Sequence, residues 1–370
     1  MKILFITGTR ADFGKLKPLI KKFYFDHDTT IVTTGMHLIP ELGNTFLEVE
    51  KLFPESIVKI SGQKFNENMI EGFSRFMLGF KSYLLELLVA PDVVVVHGDR
   101  FDALAASIVC NEMNIRVCHI EGGEVSGTID ESIRHSVSKF SHIHFVSNEK
   151  AKDRILRLGE NPNSVFVSGS PETDVILGND LPKISDTKNR YDIPFEEYII
   201  FCLHPVVSEV SSLNLQMKEI LLFLNYIKTP IIWIYPNNDE GSSIIRDSIK
   251  FSNISKLKIF ESLRFEHYIT LLKNAKAIVG NSSSGVREAP LLGVPSINIG
   301  SRQEGRVDSE IVLNTLPNLK NLKLSWAKVS EIVNKIPIHN FGSGNVSSFI
   351  YNKLTNVDLN NFDTQKKYHE

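Results

Sequence analysis

Cysteine is scarce in this chain of 370 residues: Cys110, Cys118 and Cys202, each inside an apolar run. An odd, sparse, interior set excludes a disulfide framework and fits a reducing cytoplasm. No Cys/His spacing suits zinc, so no metal is expected. Net charge is nearly absent too. The formal value is −2 with acids and bases interspersed, which excludes the basic stripe of a nucleic-acid footprint. No apolar run is long enough to span a membrane, and the N-terminal run Ile3–Ile6 is too short for a signal peptide. Also missing are a Walker A loop, a G-x-G-x-x-G fingerprint, internal repeats and low-complexity tracts. What remains is an ordinary balance, 42% hydrophobic and 23% charged, in a chain too long for one core. Two domains of about 150–200 residues each are expected.

Short β-branched runs alternate with helical periodicity along the first half. Ile3–Ile6, Thr30–Thr34, Val93–Val96, Ile115–Ile120, Ile143–Val146 and Val165–Val167 read as strands. Helical patterns follow through Leu16, Leu19 and Ile20, and over Phe65–Leu88, 101–113, Asp130–Phe140 and 149–158. The apolar Phe73–Leu88 face reads as core, with an interface as the other use. This alternation predicts a Rossmann-like domain over residues 1–172. Residues 171–197, rich in Gly, Asn, Asp, Pro and Lys, read as a linker. A second α/β series then predicts another Rossmann-like domain over 195–345. Its strands are Tyr198–Leu203, Pro230–Tyr235, 256–260, Ala277–Gly280, Val294–Ile299 and Glu310–Val312, and its helices include 212–227, 240–250, Phe265–Lys273 and Leu324–Val333. An amphipathic helix over Val346–Leu354 and a polar tail, residues 346–370, would pack back on the first domain. The expected fold class is α/β with GT-B architecture: two doubly wound domains facing a cleft.

Candidate chemistry gathers where strands stop. In open α/β sheets ligands sit outside the carboxyl ends of strands. Val93–Val96 stops at His97-Gly98-Asp99-Arg100, and Ile115–Ile120 stops at Glu121-Gly122-Gly123-Glu124. Asp99 and Glu121 are thus delivered to one crevice, with Asp130 in the first turn of the next helix, where an acid is also favoured as a cap. Crowded carboxylates suit acid/base work because mutual repulsion raises some of their pKa values. The loop Thr7–Lys15 places Arg10 beside backbone N–H groups, an arrangement for phosphate that is equally an ordinary βα turn. In the second half, Asn281–Gly285 offers Ser282, Ser283 and N–H groups at the start of a helix, a cradle for a diphosphate. Glu288, one turn in, is placed to accept from ribose hydroxyls, and Arg302 and Arg306 lie on the next strand-end loop. His204 and Asn237 also follow strands. His97, His119 and His135 read as structural histidines.

The chain resembles, nearly end to end, the hydrolysing UDP-N-acetylglucosamine 2-epimerases of sialic-acid biosynthesis. The resemblance rests on Gly8-Thr9-Arg10-Ala11-Asp12, on His97-Gly98-Asp99-Arg100, and on the long run from His119 through Glu121-Gly122-Gly123-Glu124 and Asp130 to Arg134-His135. The second half adds His204-Pro205, Pro236-Asn237 with Asp239, Gly280-Asn281-Ser282-Ser283, Gly285-Val286-Arg287-Glu288 and Arg302-Gln303. It implies conversion of UDP-GlcNAc and water to ManNAc and UDP, by elimination of UDP to a 2-acetamidoglucal and then hydration. It implies Asp99, Glu121, Asp130 and His204 as catalytic residues. Arg10, Arg100, Asn237, Ser282, Ser283, Glu288, Arg302 and Arg306 would hold the UDP-sugar. No cofactor is implied, and relatives suggest a homodimer or homotetramer. A related enzyme acting on UDP-2,4-diacetamido-2,4,6-trideoxyglucose in the legionaminic-acid pathway shares the motifs, so the sugar stays open. A GT-B glycosyltransferase, a silent nucleotide-sugar binding protein and a non-hydrolysing epimerase are the competing readings.

Overall fold

Alternate residues of each central strand serve opposite faces of a sheet, the period-two rule of extended chain. In β1 (Lys2–Thr7), Ile3 and Phe5 join one buried cluster while Leu4 and Ile6 join another. β4 (Val93–His97) divides in the same way, Val93 and Val95 against Val94 and Val96. Both faces must therefore be covered, which is why these runs are apolar throughout. The computed structural model describes residues 1–370 apart from 251, 307–308, 333–336 and 338.

Among the described residues, seven strands form the first sheet. Besides β1 and β4 these are β2 (Asp28–Thr33), β3 (Ile57–Lys59), β5 (Val117–Ile120), β6 (Ile143–Val146) and β7 (Val165–Val167), all parallel, in the order β3-β2-β1-β4-β5-β6-β7. The order reverses between β1 and β4. Six more strands form the second sheet: β8 (Ile199–Cys202), β9 (Ile231–Ile234), β10 (Leu257–Phe260), β11 (Ile278–Gly280), β12 (Ser296–Ile299) and β13 (Val312–Thr315). They too are parallel, in the order β10-β9-β8-β11-β12-β13, with the reversal between β8 and β11. These are the two doubly wound halves that a GT-B fold requires.

The first sheet is flanked by α1 (Arg10–Asp26), α2 (Phe46–Leu52), α3 (Met69–Glu86), α4 (Phe101–Glu112), α5 (Ile129–Phe140) and α6 (Glu149–Arg157). The loop expected over Thr7–Lys15 is shorter than the sequence suggests. The Thr9 hydroxyl accepts from the Asp12 N–H, so the helix is capped there and begins at Arg10. α3 starts at Met69, not Phe65, because Asn68 caps it; Phe76, Phe80 and Leu84 face the core while Ile70, Leu78 and Leu85 are exposed.

The chain divides into two compact units. The first contains residues 1–125, 129–179 and 341–370; the second contains 126–128 and 180–340. The helix Val346–Asn356 lays Val346, Ile350 and Leu354 into the same cluster as Leu16, Leu19, Ile20 and Phe23 of α1. The tail after it is not merely polar: Phe362 is buried in that cluster. The boundary between the units, at 179/180, falls within the expected linker 171–197, but this stretch is not without regular structure. It contains helices Glu172–Ile176 and Ile184–Arg190, and Ile184, Tyr191, Ile193 and Phe195 pack into the second unit, so its polar residues are a solvated face. The last strand lies at Val312–Thr315, later than Glu310–Val312, and the helix expected over Leu324–Val333 runs Leu319–Val329, started by an Asn318 cap; Val333 lies outside the described residues. Among the described residues no helix is long and apolar enough to cross a membrane, and no group of three or more His, Cys, Asp or Glu could hold a metal ion.

Candidate active site

Each sheet concentrates polar residues at its reversal point, where adjacent loops diverge and leave a crevice. In the first unit, β4 and β5 run in register with His97 opposite Ile120, and the Gly98 N–H donates to the Ile120 carbonyl (2.9 Å). Asp99 and Glu121 therefore emerge side by side. Gly123 has φ +76°, and a Cβ there would lie 2.2 Å from the Ala151 carbonyl oxygen, so the turn after β5 needs glycine. Glu121 is itself left-handed, at φ +68°. That conformation costs a non-glycine residue about 1 kcal/mol and persists where surrounding contacts impose it.

The crowding of like charges expected from the sequence is replaced by alternation of sign. Arg134, 1% exposed, ion-pairs through Nη2 with Asp99 and donates from Nη1 to the Glu124 carbonyl (3.0 Å). Burial alone would lower the Arg134 pKa, but Asp99, Glu124 and Asp130 around it raise it. Asp130, half-buried in the first turn of α5, thus shares the field of one guanidinium with Asp99. Glu121 has its own cation. His97 Nε2 lies 3.3 Å from Glu121 Oε1, and His97 Nδ1 lies 2.7 Å from Asp12 Oδ1. Burial lowers the His97 pKa, yet the two carboxylates outweigh it and push it up to about 10. His97 and Asp12 were absent from the expected catalytic set; the Asp12 in Gly8-Thr9-Arg10-Ala11-Asp12 was the only hint. His119 fits its structural reading. It is fully buried between the Ser138 hydroxyl (3.1 Å) and the Gly98 carbonyl (2.8 Å), and burial pushes its pKa down to about 3. His135 is half-buried beside Glu131 (3.8 Å). Arg10 pairs with Glu48 of α2 (3.3 Å), and Arg100 with Asp102 of α4 (3.4 Å).

The second unit builds its group around Asn281. Its side chain brackets the His204 backbone, accepting from the N–H (2.6 Å) and donating to the carbonyl (2.8 Å). β11 can approach β8 because residue 280 is glycine: a Cβ there would sit 1.9 Å from the Cys202 carbonyl oxygen. The Asn237 N–H donates to His204 Nδ1 (3.2 Å), which leaves the neutral ring's proton on Nε2. Arg302 and Gln303 both donate to the Asn281 carbonyl (3.3 and 3.0 Å), and Arg306 donates to Gln303 Oε1 (3.0 Å). Ser282, Ser283, His204, Asn237, Arg302 and Arg306 thus converge within this unit. The helix expected to start at Asn281–Gly285, with Glu288 one turn in, is a correction: it starts only at Glu288. Ser282 caps a single 3-10 turn, Ser283–Gly285, and a four-residue helix, Glu288–Leu291, follows. Gly285 and Pro290 interrupt helical winding, so any anion cradle here is made of hydroxyls and loop N–H groups without a long dipole. Glu288 is buried near Tyr268, whose phenol is raised well above its ordinary value by burial first and then by the Glu288 charge.

The model of the family described as UDP-N-acetylglucosamine 2-epimerase matches residues 24–355. The chain belongs to this family. A UDP-N-acetylglucosamine 2-epimerase of Neisseria meningitidis serogroup B is 42% identical over 324 residues, 87% of this chain and 85% of that one. A UDP-N,N'-diacetylbacillosamine 2-epimerase (hydrolyzing) of Legionella pneumophila is 32% identical, covering 97% of this chain and 96% of its own. Among solved structures, the Methanocaldococcus jannaschii UDP-GlcNAc 2-epimerase in complex with UDP-GlcNAc and UDP superposes with a TM-score of 0.80 at 24% identity, over 96% of this chain and 99% of that one. That likeness extends the family's fold to both units. Membership makes the chain an enzyme of the UDP-sugar 2-epimerase class.

Proposed function

We propose that this protein is a hydrolysing UDP-N-acetylglucosamine 2-epimerase, converting UDP-GlcNAc and water to ManNAc and UDP. One observation carries the reading: Asp99 and Glu121 leave adjacent strand ends at the reversal point of the first sheet, each held by a buried cation of its own. The reaction needs a base for the weakly acidic C2 proton, support for positive charge at C1, and an acid/base pair for hydration. Asp99, Glu121 and Asp130 supply carboxylates for these tasks. As the C2–H bond breaks, its electrons form the C1=C2 bond and the C1–O electrons leave with UDP. Water then adds across the 2-acetamidoglucal with the opposite outcome at C2. The second unit would take the nucleotide: His204, whose Nε2 lies 3.5 Å from Cys202 Sγ, would assist the departing phosphate, and Ser282, Ser283, Asn237, Arg302 and Arg306 would hold the diphosphate and uridine. Glu288 would serve a ribose hydroxyl. Arg10 and Arg100, paired with Glu48 and Asp102, are the first unit's candidate contacts to the UDP-sugar. The hydrolytic outcome draws support from the name of the Legionella relative.

The test is incubation with UDP-GlcNAc alone in D2O. ManNAc with deuterium at C2, plus UDP, is expected; UDP-ManNAc as the product would replace the hydrolytic reading with the non-hydrolysing one, and turnover that needs an acceptor would point to a glycosyltransferase. The same Legionella relative favours a second reading, a 2,4-diacetamido-2,4,6-trideoxyhexose substrate, and the ratio of kcat/KM on the two UDP-sugars decides between them.

A further inference from the structure

Asp12, His97 and Glu121 follow three neighbouring strands, β1, β4 and β5, and stand in a line across the reversal point. Their side chains are 11%, 9% and 5% exposed. Both imidazole nitrogens face a carboxylate oxygen. Two carboxylate oxygens at ion-pair distance, one for each nitrogen, favour the imidazolium. Asp12 is anchored in turn: the Gly8 N–H donates to its Oδ2 (3.3 Å), and its own N–H donates to Thr9 Oγ1 (3.1 Å). Of the other buried histidines of this unit, His144 has one carboxylate, Glu160 (3.1 Å), and His37 and His119 have none. His37 sits between the hydroxyls of Thr7 (3.1 Å) and Thr45 (2.8 Å), and burial pushes its pKa down to about 4. His119 has only a hydroxyl and a carbonyl. The charged groups facing His97 are Asp12 from α1 and Glu121 from the turn after β5, with neutral His119 beside it on β5. A structural histidine does not need two carboxylates, and Glu121 does not adopt φ +68° without an anchor.

We propose that Asp12 and His97 are positioning residues for Glu121: Asp12 orients the imidazolium, and the imidazolium fixes the Glu121 carboxylate in its left-handed site and keeps it ionised for the sugar. The inference rests on the epimerase reading above. An ionised Glu121 accepts a proton, so it serves the elimination as base: the C2 proton moves to its carboxylate, the C–H electrons become the C1=C2 bond, and the C1–O electrons leave with UDP. His97 keeps both protons throughout.

Two variants of the full chain test this, Asp12→Asn and His97→Gln, with unfolding midpoints measured as a check on folding. Each is expected to lower kcat by about 10- to 100-fold with KM within about threefold, the pattern of a lost transition-state contribution. In His97→Gln the acid limb of kcat should move to higher pH, because Glu121 has lost its cation; in Asp12→Asn that limb should stay and kcat should fall further as His97 deprotonates between pH 7 and 9. A loss of stability alone would leave both pH profiles in place. Imidazole 15N resonances give a readout free of turnover. His97 should stay doubly protonated from pH 7 to 9 in the wild type and become neutral in that range in Asp12→Asn. A neutral His97 at pH 7 in the wild type, or folded variants with wild-type kcat and pH profile, would overturn the proposal. If either variant does not fold, the wild-type titration and the other variant decide. A wild type that ignores UDP-GlcNAc defeats the substrate reading instead, and the resonance titration still decides the pairing.

Discussion

Acid should unfold the first unit ahead of the second, and the size of the effect follows from where the histidines sit. His37, His119 and His142 belong to the first unit, and burial pushes their pKa values down to about 4, about 3 and about 4 from 6.5. Each is neutral in the folded unit and protonated in the unfolded chain over the interval from 6.5 down to its folded value. The unfolded state therefore binds more protons there, and stability falls as pH falls. Each group contributes about 1.4 kcal/mol per pH unit, so three contribute roughly 4 kcal/mol per unit. Between pH 6.5 and 5 the loss is about 6 kcal/mol, comparable to the whole stability of a domain. His97 does not counter this. Its pKa is raised to about 10, so its stabilisation is fully present below 6.5 and is lost only as pH rises through about 10. The two tryptophans, Trp233 and Trp326, both lie in the second unit, so their emission reports only that unit. Incubation across pH 7 to 4, followed by a hydrogen-exchange pulse at one common pH and mass spectrometry, reads both units separately. Peptides from residues 1–125 should lose protection at a pH where tryptophan emission is still native. Simultaneous loss, or earlier loss in the second unit, would refute the assignment of buried neutral histidines.

Two further predictions test the supports of the site. Arg134→Met leaves Asp99 and the Glu124 carbonyl without their buried cation; since the Asp99 side chain is 29% exposed and can partly rehydrate, the cost should be about 2–3 kcal/mol rather than the full value for a buried pair, read by urea unfolding, and a loss below about 0.5 kcal/mol would contradict the geometry. Ile350→Ala removes a fully buried side chain that packs with α1, and should destabilise the first unit by about 2–4 kcal/mol while exchange in residues 180–340 stays unchanged; an effect confined to the second unit would be incompatible with the packing.

The strands of both sheets apart from β3 (Ile57–Lys59), and the emergence of Asp99 and Glu121, were legible because β-branched runs ending in glycine and charge have one common use in a parallel sheet. Helix starts were less so, since Thr9, Asn68 and Asn318 act through local caps that outweigh the apolar pattern. The helices within the linker went unread because Ile184, Tyr191, Ile193 and Phe195 are too widely spaced to show a period. Arg134 and His97 were invisible as ion-pair partners. Arg134 is 35 residues from Asp99, and only the order β1-β4-β5 brings Asp12 to His97. A sequence read as consecutive segments carries no such adjacency. The same limit made three acids look like mutual repulsion, when cations from other elements stand among them.

The return of residues 341–370 to the first unit bears on how the protein is made. Residues 180–340 form a continuous span and can collapse while the ribosome is still adding the rest. The first unit cannot: Val346, Ile350, Leu354 and Phe362 complete its core, and they follow the second unit in the sequence. Until then the cluster around Leu16, Leu19 and Ile20 of α1 lacks the cover of the helix Val346–Asn356. Although residues 1–125 precede the second unit in the sequence, the first unit should mature after it, because its core waits on residues 341–370.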